Sequence, residues 1–535
     1  MAEGRGPGAS GRGEAALLAA LVAAAAALRW LAWERTVALY NDGPVFLGLA
    51  QLFAAGEWRA ALAHPYHPLY PLAIAGTHAL APALPWEDAA ALVSVVAGAA
   101  SVALLHAFLR DAAGRTAAAT GAALLAVHPY AVAYSSDVMS DGLYLALFLA
   151  GATSLWKGLR TGRARHAAAA GLFCGLAYLT RPEGLGIALA GGLLAAGGGL
   201  RRRGSPRAAA ALAGALGAAT LLVASPYLLA LRAESGTFAL TRKKALLEFG
   251  GYAVERAPSP QVAVQPAVLA HHPFLETVMN GARGGLPPAP APSEPPSAWR
   301  HGVRAAGSVL LAFASVLRPE ILGLVALGAW ARRRAPERSF VLVFAGLYGL
   351  VLYALAAGVG YVNRRYALPP ALLTLGYAAA GVPVLGRALL APLRRATGRA
   401  LPAPEALGLA LGLALVVAAA APKLAKERRL ERLAERRAAE WLEAQPGGAG
   451  PVAAAKQRVA YYAGAPFVRL PVPGELPPLA YLHAAGARHL IVDDRWLAED
   501  DALREAVTRG MTLVHRSEGE GGGAAVFLLE RGTGG

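Results

Sequence analysis

The chain has 535 residues, of which 56% are hydrophobic and only 16% are charged, and its mean hydropathy is +0.42. This composition excludes an ordinary soluble protein and indicates a membrane protein with several spans. The formal net charge of +17 does not indicate a nucleic-acid-binding protein, because the arginines form short clusters between apolar segments, and the single cysteine excludes an internal disulfide framework and a cysteine-based metal site.

Eleven apolar segments approach the length of about 20 residues that a helix needs to cross a bilayer. The first resembles a secretory signal, but since further apolar segments follow it, we interpret it as a span that remains. We therefore predict an all-α polytopic membrane protein with a transmembrane helix in each segment. The segments lie at 15–33, 88–109, 116–132, 139–156, 167–180, 185–200, 207–230, 306–330, 339–358, 367–386 and 403–421.

Basic residues predict the orientation of these spans. If the N-terminus is cytoplasmic, the inner loops carry 20 Lys and Arg residues, whereas the short outer loops carry only five arginines. The positive-inside rule favours this arrangement, which leaves the C-terminus outside. For the segment 167–200 we predict a helical hairpin, because a single crossing would put the two flanking basic clusters on opposite sides. Arg181 and Glu183 then lie near the outer surface.

The transmembrane domain, predicted over 1–421, contains outer loops at 34–87 and 231–305. In the first, 34–87, apolar residues at helical spacing predict an amphipathic helix over 44–55 that lies in the membrane interface, followed by a juxtamembrane helix. The second, 231–305, contains a Pro-rich stretch at 284–298. We interpret that stretch as a mobile linker, with a lid over the site as the alternative.

The remainder of the chain is predicted to lie outside the membrane. Residues 422–445 are rich in Glu and Arg at close helical spacing, which predicts a solvated connector helix. Residues 446–535 are predicted to form a small extracytoplasmic α/β domain, with strands at VAYYAG, HLIVDD, MTLVHRS and AAVFLLE. Asp493 and Asp494 follow one strand and are interpreted as turn or helix-cap residues rather than catalytic acids.

Several polar side chains collect at the predicted outer membrane boundary, where ionisable groups are costly. They are Asp42, His64, His67, Asp137, Asp141, Arg181, Glu183, Arg318, Glu320, Arg364 and Arg365. Asp42 could simply stabilise the start of the 44–55 helix. Interfacial hydrogen bonds explain the histidines better than a metal does, and the last two arginines could be interface anchors. Asp137 and Asp141 lie four residues apart, where pairing with an arginine and catalysis both remain open.

Taken together, these residues indicate chemistry at the membrane surface. Carboxylates can accept a proton from a hydroxyl group, and arginines can hold a phosphate through two parallel hydrogen bonds. Both kinds of group lie at the same predicted boundary of one chain. An enzyme that acts on a phosphate-bearing lipid requires this combination.

The order of the motifs resembles that of the GT-C superfamily of membrane glycosyltransferases, in particular the family 39 type, which includes protein O-mannosyltransferases and the lipid A aminoarabinose transferase. The matching features are Asp42 in YNDGPVFLGLA, the stretch HPYHPLYPLAIAG, Asp141 in VMSDGLYLALFLA, LTRPEG at 179–184 and RYALP at 365–369. The resemblance covers roughly residues 15–420 and depends on the order and spacing of the motifs.

This resemblance implies an inverting transferase of the bacterial inner membrane. It would move a sugar from a polyprenyl-phosphate carrier to a glycan, lipid or protein acceptor on the outer face, without a cofactor, although a divalent metal is not excluded. Asp42 would be the general base, Asp141 would organise the site, and Arg364 or Arg365 would contact the lipid phosphate. The substrate pocket would also include His64, His67, Tyr70, Arg181 and Glu183.

The sequence differs from the family pattern at two positions. Several relatives have adjacent acids where this chain has Asn41 and Asp42, and His67 replaces the first proline of the second motif. These differences leave metal dependence and the acceptor open.

Two alternative functions also fit these residues. A lipid or saccharide transporter would also line a pathway with buried charges. A noncatalytic protein that acts through its C-terminal domain is the other alternative.

Overall fold

The computed structural model describes residues 7–197, 205–236, 238–242, 264–284, 298–359, 362–397, 404–470, 477–520 and 522–529. Over these residues the chain is mainly helical and ends in a small sheet, so the predicted fold class is confirmed. The predicted Pro-rich linker lies outside the described residues except at its two ends.

The helices up to the second long loop begin and end as follows: α1 (Pro7–Glu34), α2 (Gly43–Ala54), α3 (Trp58–Ala63), α4 (Leu69–Leu80), α5 (Trp86–Ala112), α6 (Arg115–Ala126), α7 (Pro129–Tyr134), α8 (Asp141–Thr161), α9 (Ala164–Thr180), α10 (Gly186–Ala196) and α11 (Pro206–Ser235). The next helices are α12 (Pro266–His271), α13 (Leu275–Asn280), α14 (Ala298–Ala331), α15 (Arg338–Val359), α16 (Arg364–Leu372), α17 (Leu375–Thr397) and α18 (Pro404–Ala425).

The C-terminal part consists of α19 (Leu433–Glu443), β1 (Val452–Ala454), α20 (Gln457–Tyr462), β2 (Phe467–Arg469), α21 (Pro478–Ala484), β3 (His489–Asp493), α22 (Asp494–Glu499), α23 (Asp501–Gly510), β4 (Met511–Gly519) and β5 (Gly522–Leu529). The sheet order is β2-β1-β3-β5-β4. The first three strands are parallel, and β5 pairs antiparallel with both β3 and β4. Helix α19 packs on β3, β4 and β5.

The chain is a multi-pass membrane protein. Within the described residues, eight helices are long and apolar enough to cross a bilayer, namely α1, α5, α8, α11, α14, α15, α17 and α18. The other predicted spans coincide with shorter helices, of which α6 has 12 residues, α9 has 17 and α10 has 11. Each of the eleven predicted segments therefore contains helix, but not every segment is a full-length span.

Ion pairs identify one end of the helical bundle. Glu14, near the start of α1, lies 2.5 Å from Arg110 and 3.2 Å from Arg115, which are at the end of α5 and the start of α6. Asp111 lies 2.8 Å from Arg160, near the end of α8. Helix α1 runs away from this end, so Asp42, which follows it, lies at the opposite end. Helix α8 runs toward this end, so Asp141, its first residue, also lies at the opposite end.

Arg181 lies at the same end as the candidate acids, because α9 runs back from the end of α8 and Arg181 follows α9. The chain turns sharply at this point. Arg181 has an extended backbone (φ −156°, ψ 140°), and Pro182–Leu185 form a short 3-10 turn before α10 begins. A Cβ on Gly184 would collide with the backbone of Ala177 and Tyr178, so only glycine fits this turn. The structure thus has the reversal that the hairpin prediction required.

Two predictions about local structure are wrong. Helix α2 exists within one residue of its predicted bounds, but ten of its 12 residues are buried, so it is packed inside the protein and does not present a free apolar face to the membrane. Helix α4, which follows soon after it in the sequence, covers it together with α13 and α20, which come from distant parts of the sequence. The segment VAYYAG forms most of α20 rather than a strand.

The connector also differs from its prediction. Helix α18 continues to Ala425, the backbone of Arg429 is left-handed (φ 61°), and α19 begins at Leu433, so 422–445 is not one helix. Residue Arg428 pairs with Thr36 as an isolated parallel bridge. The connector is docked against the membrane domain rather than solvated.

Candidate functional site

Asp42 lies just before α2 and uses its side chain for contacts away from that helix. Its Oδ2 atom accepts a hydrogen bond from Nη1 of Arg365 at 2.9 Å, and its Oδ1 atom accepts one from the hydroxyl of Tyr66 at 3.2 Å. The carboxylate makes no hydrogen bond to the α2 amides. Its side chain is 20% exposed. The structure therefore favours a role in the cluster over a simple capping role.

Arg365 is oriented by the first turn of α16. The side chain of Asn363 accepts a hydrogen bond from the Arg365 amide at 3.1 Å, which caps that helix. The guanidinium also donates to the hydroxyl of Tyr366 at 3.3 Å. Burial, together with the nearby carboxylate of Asp42, raises the pKa of Tyr66 well above its ordinary value. The phenol of Tyr66 is therefore protonated and acts as a donor.

A second ion pair lies beside the first. Nη1 of Arg181 lies 2.5 Å from Oδ1 of Asp141, and Glu183 lies 3.6 Å from the same guanidinium. The ring of Tyr366 connects the two pairs, because the Cζ atoms of Arg181 and Arg365 lie 4.8 and 5.2 Å from its centroid. Such cation–π contacts hold the guanidinium groups in place.

Asp137 forms a third ion pair, with arginines of the connector. Its side chain is fully buried, and it lies 3.4 Å from Nη2 of Arg428 and in contact with Nη2 of Arg429. Burial acts to raise the pKa of Asp137, but the two guanidinium groups lower it below its ordinary value. Of the two roles left open for Asp137, the geometry favours pairing with arginine.

Arg364 does not join Arg365 at Asp42. Its Nη1 atom donates to the hydroxyl of Tyr130 at 2.9 Å, and Nζ of Lys423 donates to the same oxygen at 2.8 Å. Tyr134 stacks near Tyr130, with 6.2 Å between the ring centroids. Two cations thus meet on one phenol close to the Asp42 cluster.

The other sequence candidates lie in local structure near the cluster. Nδ1 of His64 accepts a hydrogen bond from the amide of Tyr66 at 3.0 Å. His67 is 1% exposed, and its Nε2 atom lies 3.3 Å from the Thr241 hydroxyl. The hydroxyl of Tyr70 lies 2.9 Å from Oγ of Ser94. Within the described part of the chain, no group of three or more His, Cys, Asp or Glu residues is arranged to hold a metal ion.

Tyr66, Tyr366 and Lys423 were not predicted from the sequence. Tyr66 lies inside the motif that contains both histidines, and Tyr366 directly follows Arg365, so their position beside candidate residues was an available signal. Lys423 had no such signal, because only the fold brings the end of α18 to Tyr130.

Comparisons with known proteins agree with this architecture. A sequence model of the family described as dolichyl-phosphate-mannose-protein mannosyltransferase matches residues 63–229. A comparison with curated proteins finds no match. ArnT from Cupriavidus metallidurans, solved with undecaprenyl phosphate bound, matches with a TM-score of 0.56 and 14% identity over 95% of this chain and 97% of that chain.

A second similar structure is the archaeal oligosaccharyltransferase AglB from Archaeoglobus fulgidus, solved with an inhibitory peptide and a dolichol-phosphate. It matches with a TM-score of 0.51 and 12% identity over 96% of this chain and 74% of that chain. At these identities the similarity establishes the fold. The predicted resemblance to GT-C membrane glycosyltransferases of the mannosyltransferase and ArnT type is confirmed.

Proposed function

We propose that this chain, which has the GT-C fold, is a glycosyltransferase that takes its sugar from a polyprenyl-phosphate carrier. The acceptor would be a glycan, lipid or protein on the outer face of the bacterial inner membrane. Two findings on similar proteins support a donor of this kind: ArnT was solved with undecaprenyl phosphate, and AglB with dolichol-phosphate. The N-terminus would be cytoplasmic and the C-terminal part extracytoplasmic, in agreement with the distribution of Lys and Arg.

One observation carries the proposal: Asp42 and Arg365 come from positions 323 residues apart and meet at the same end of the bundle as Asp141 and Arg181. A carboxylate that can accept a proton thus lies beside a cation that can balance a phosphate. The side chains of Asp42 and Arg365 are 20% and 16% exposed, so the pair is sheltered but accessible. In such surroundings charge interactions are stronger than in bulk water.

In the proposed reaction, Asp42 takes the proton from an acceptor hydroxyl. The hydroxyl oxygen then forms a bond to the anomeric carbon as the bond from that carbon to the phosphate oxygen breaks. The polyprenyl phosphate leaves with the electron pair, and attack from the opposite side inverts the configuration. One carboxylate is sufficient for this displacement, and an arginine can stabilise the charge on the leaving group.

Arg364 and Lys423 are proposed to hold the carrier phosphate together with Arg365. Both of these basic side chains donate to Tyr130, and within the described residues neither forms an ion pair with a carboxylate. A phosphate would supply the missing negative charge. Arg365 differs, because it already donates a hydrogen bond to Asp42. When the polyprenyl-phosphate sugar binds, Arg365 would share its hydrogen bonds between Asp42 and the phosphate.

The experiment is sugar transfer by the purified protein in vesicles that contain polyprenyl-phosphate sugars. Asp42→Asn keeps the shape of the side chain but removes the base, and we expect the rate to fall about 10²- to 10⁴-fold. The control is Asp111→Asn, because Asp111 pairs with Arg160 at the other end of the bundle. Full activity of Asp42→Asn would overturn the assignment of the base. Mass spectrometry of surface glycans and lipids, with and without the protein, would identify the sugar and the acceptor.

A further inference from the structure

The segment that leads to Asp42 is held by the connector and the C-terminal part. Residues 37–41 lie between α1 and α2, outside both helices, and many of their backbone groups are bonded to later parts of the chain. The amide of Val37 donates to the carbonyl of Arg428 at 3.1 Å, and its carbonyl accepts from Arg436 at 2.9 Å. The carbonyl of Ala38 accepts from Nη1 of Arg429 at 2.5 Å.

Two further bonds come from α20. The amide of Leu39 donates to the hydroxyl of Tyr462 at 2.8 Å. The carbonyl of Asn41 accepts from Nε2 of Gln457 at 2.8 Å, one peptide unit before Asp42. Buried backbone groups need partners, and here five of those in residues 37–41 find them more than 380 residues further along the chain.

A side-chain contact links the same elements to the ion pair. The guanidinium of Arg429 lies 5.4 Å from the ring centroid of Tyr40, and the guanidinium of Arg365 lies 5.6 Å from that centroid. Asp137 anchors Arg429 from the membrane domain. The connector thus contacts both the backbone before Asp42 and an aromatic ring shared with the arginine that pairs with Asp42.

We propose that residues 428–462 position Asp42 for catalysis, with Tyr462 and Gln457 as positioning residues. This inference rests on the proposed role of Asp42 as the base. The C-terminal part then has a defined task in the reaction: it supplies hydrogen bonds that hold the irregular segment 37–41 in one conformation. A base displaced by about 1 Å loses roughly 100-fold in rate, so holding this segment affects the chemical step.

The test uses Tyr462→Phe and Gln457→Met, which keep side-chain size and remove one hydrogen bond each. Arg429 is unsuitable, because its removal would leave Asp137 buried with less charge compensation. The control is Tyr481→Phe, which also removes one hydrogen bond between a phenol and the backbone: the hydroxyl of Tyr481, elsewhere in the C-terminal part, donates to the carbonyl of Gly284 at 2.8 Å. Hydrogen exchange of residues 36–42 and the kcat and KM of sugar transfer are measured for all three variants.

We expect Tyr462→Phe and Gln457→Met to speed amide exchange in 36–42 and to lower kcat about 10- to 100-fold, with the KM for the donor unchanged. Tyr481→Phe should change neither quantity. In an Asp42→Asn background, Tyr462→Phe should lower the rate no further. Wild-type exchange in 36–42, or wild-type kcat, in both variants would overturn the inference while leaving Asp42 as the base.

Failure of the proposed function gives a different result. If Asp42→Asn is fully active, the base is assigned wrongly, and a loss of activity in Tyr462→Phe could not act through it. If that Asn variant is inactive while the Tyr462 and Gln457 variants are fully active, only the positioning role falls. The activity of Asp42→Asn separates the two cases, and the exchange measurement tests the hydrogen bonds to 36–42 without any substrate.

Discussion

The buried pair of Asp141 and Arg181 allows a prediction of how stability responds to the loss of each partner. Its two charged atoms are 2.5 Å apart, and each side chain is 6% exposed. Arg181 has other partners, because Glu183 lies 3.6 Å away and the rings of Tyr144 and Tyr366 lie 5.5 and 4.8 Å from its Cζ atom. In contrast, Oδ2 of Asp141 has no hydrogen-bond partner among the described residues.

Arg181→Gln is therefore expected to cost more than Asp141→Asn. The first change leaves the buried carboxylate of Asp141 without its hydrogen-bonded cation, which lowers the free energy of unfolding by about 3–5 kcal/mol. The second leaves Arg181 with Glu183 and two aromatic rings, so the loss is that of one charged hydrogen bond, about 1.5–3 kcal/mol. The double variant removes both charges and should be more stable than Arg181→Gln alone, because it no longer buries the carboxylate of Asp141. The effects of substitutions at contacting residues on stability are not additive.

Thermal unfolding of the purified protein in detergent micelles at neutral pH measures this order. The control is Asp111→Asn, which breaks a pair with Arg160 whose side chains are 44% and 38% exposed, and such exposed pairs contribute about 0–1 kcal/mol. The expected melting temperatures fall from wild type and Asp111→Asn to Asp141→Asn and then to Arg181→Gln. This explanation is refuted if the melting temperature of Arg181→Gln equals that of the wild type, or if the double variant has a lower melting temperature than Arg181→Gln.

The pKa of Asp137 is lower in the folded protein than in the unfolded chain, where it is about 4, so the ionised carboxylate stabilises the fold above that pH. This stabilisation is lost as the pH falls through the folded pKa. As the pH is lowered, the melting temperature of Asp137→Asn should therefore fall less steeply than that of the wild type. Tyr66→Phe removes a donor to Asp42, so initial transfer rates should fall about 10- to 100-fold at an unchanged melting temperature, and a wild-type rate would argue against this role. Gly328→Ala would push a Cβ into the backbone of α17 and should cost about 1–3 kcal/mol in thermal unfolding, whereas Gly323→Ala, with no atom within 4 Å, should be close to neutral.

Much of the candidate cluster could be predicted from sequence. Asp42, Asp141, Arg181 and Arg365 were selected because ionisable groups at a membrane boundary are costly and need a reason. The structure brings these four residues together through two ion pairs and the ring of Tyr366. The hydropathy of each segment, with the positions of its basic flanks, was sufficient to place them at one end of the bundle.

Partner choice could not be predicted in the same way. Asp137 and Asp141 are four residues apart and looked like equivalent acids, yet Asp141 pairs with Arg181 at the membrane end and Asp137 with Arg429 of the connector. Arg364 and Arg365 are adjacent, yet a helix turns them toward different partners, Tyr130 and Asp42. Spacing along the chain shows which residues share a face but not what lies opposite that face.

The sequence alone determined that this chain is a multi-pass membrane protein, where its apolar helices lie and at which end its acids and arginines collect. Those properties depend on the composition of windows of about 20 residues, because each such window must match the hydrocarbon thickness by itself. The tertiary structure decided that α2 is buried, that the connector is docked and that residues 428–462 contact the segment before Asp42. These features depend on hydrogen bonds between segments hundreds of residues apart, whose proximity exists only once the chain has folded.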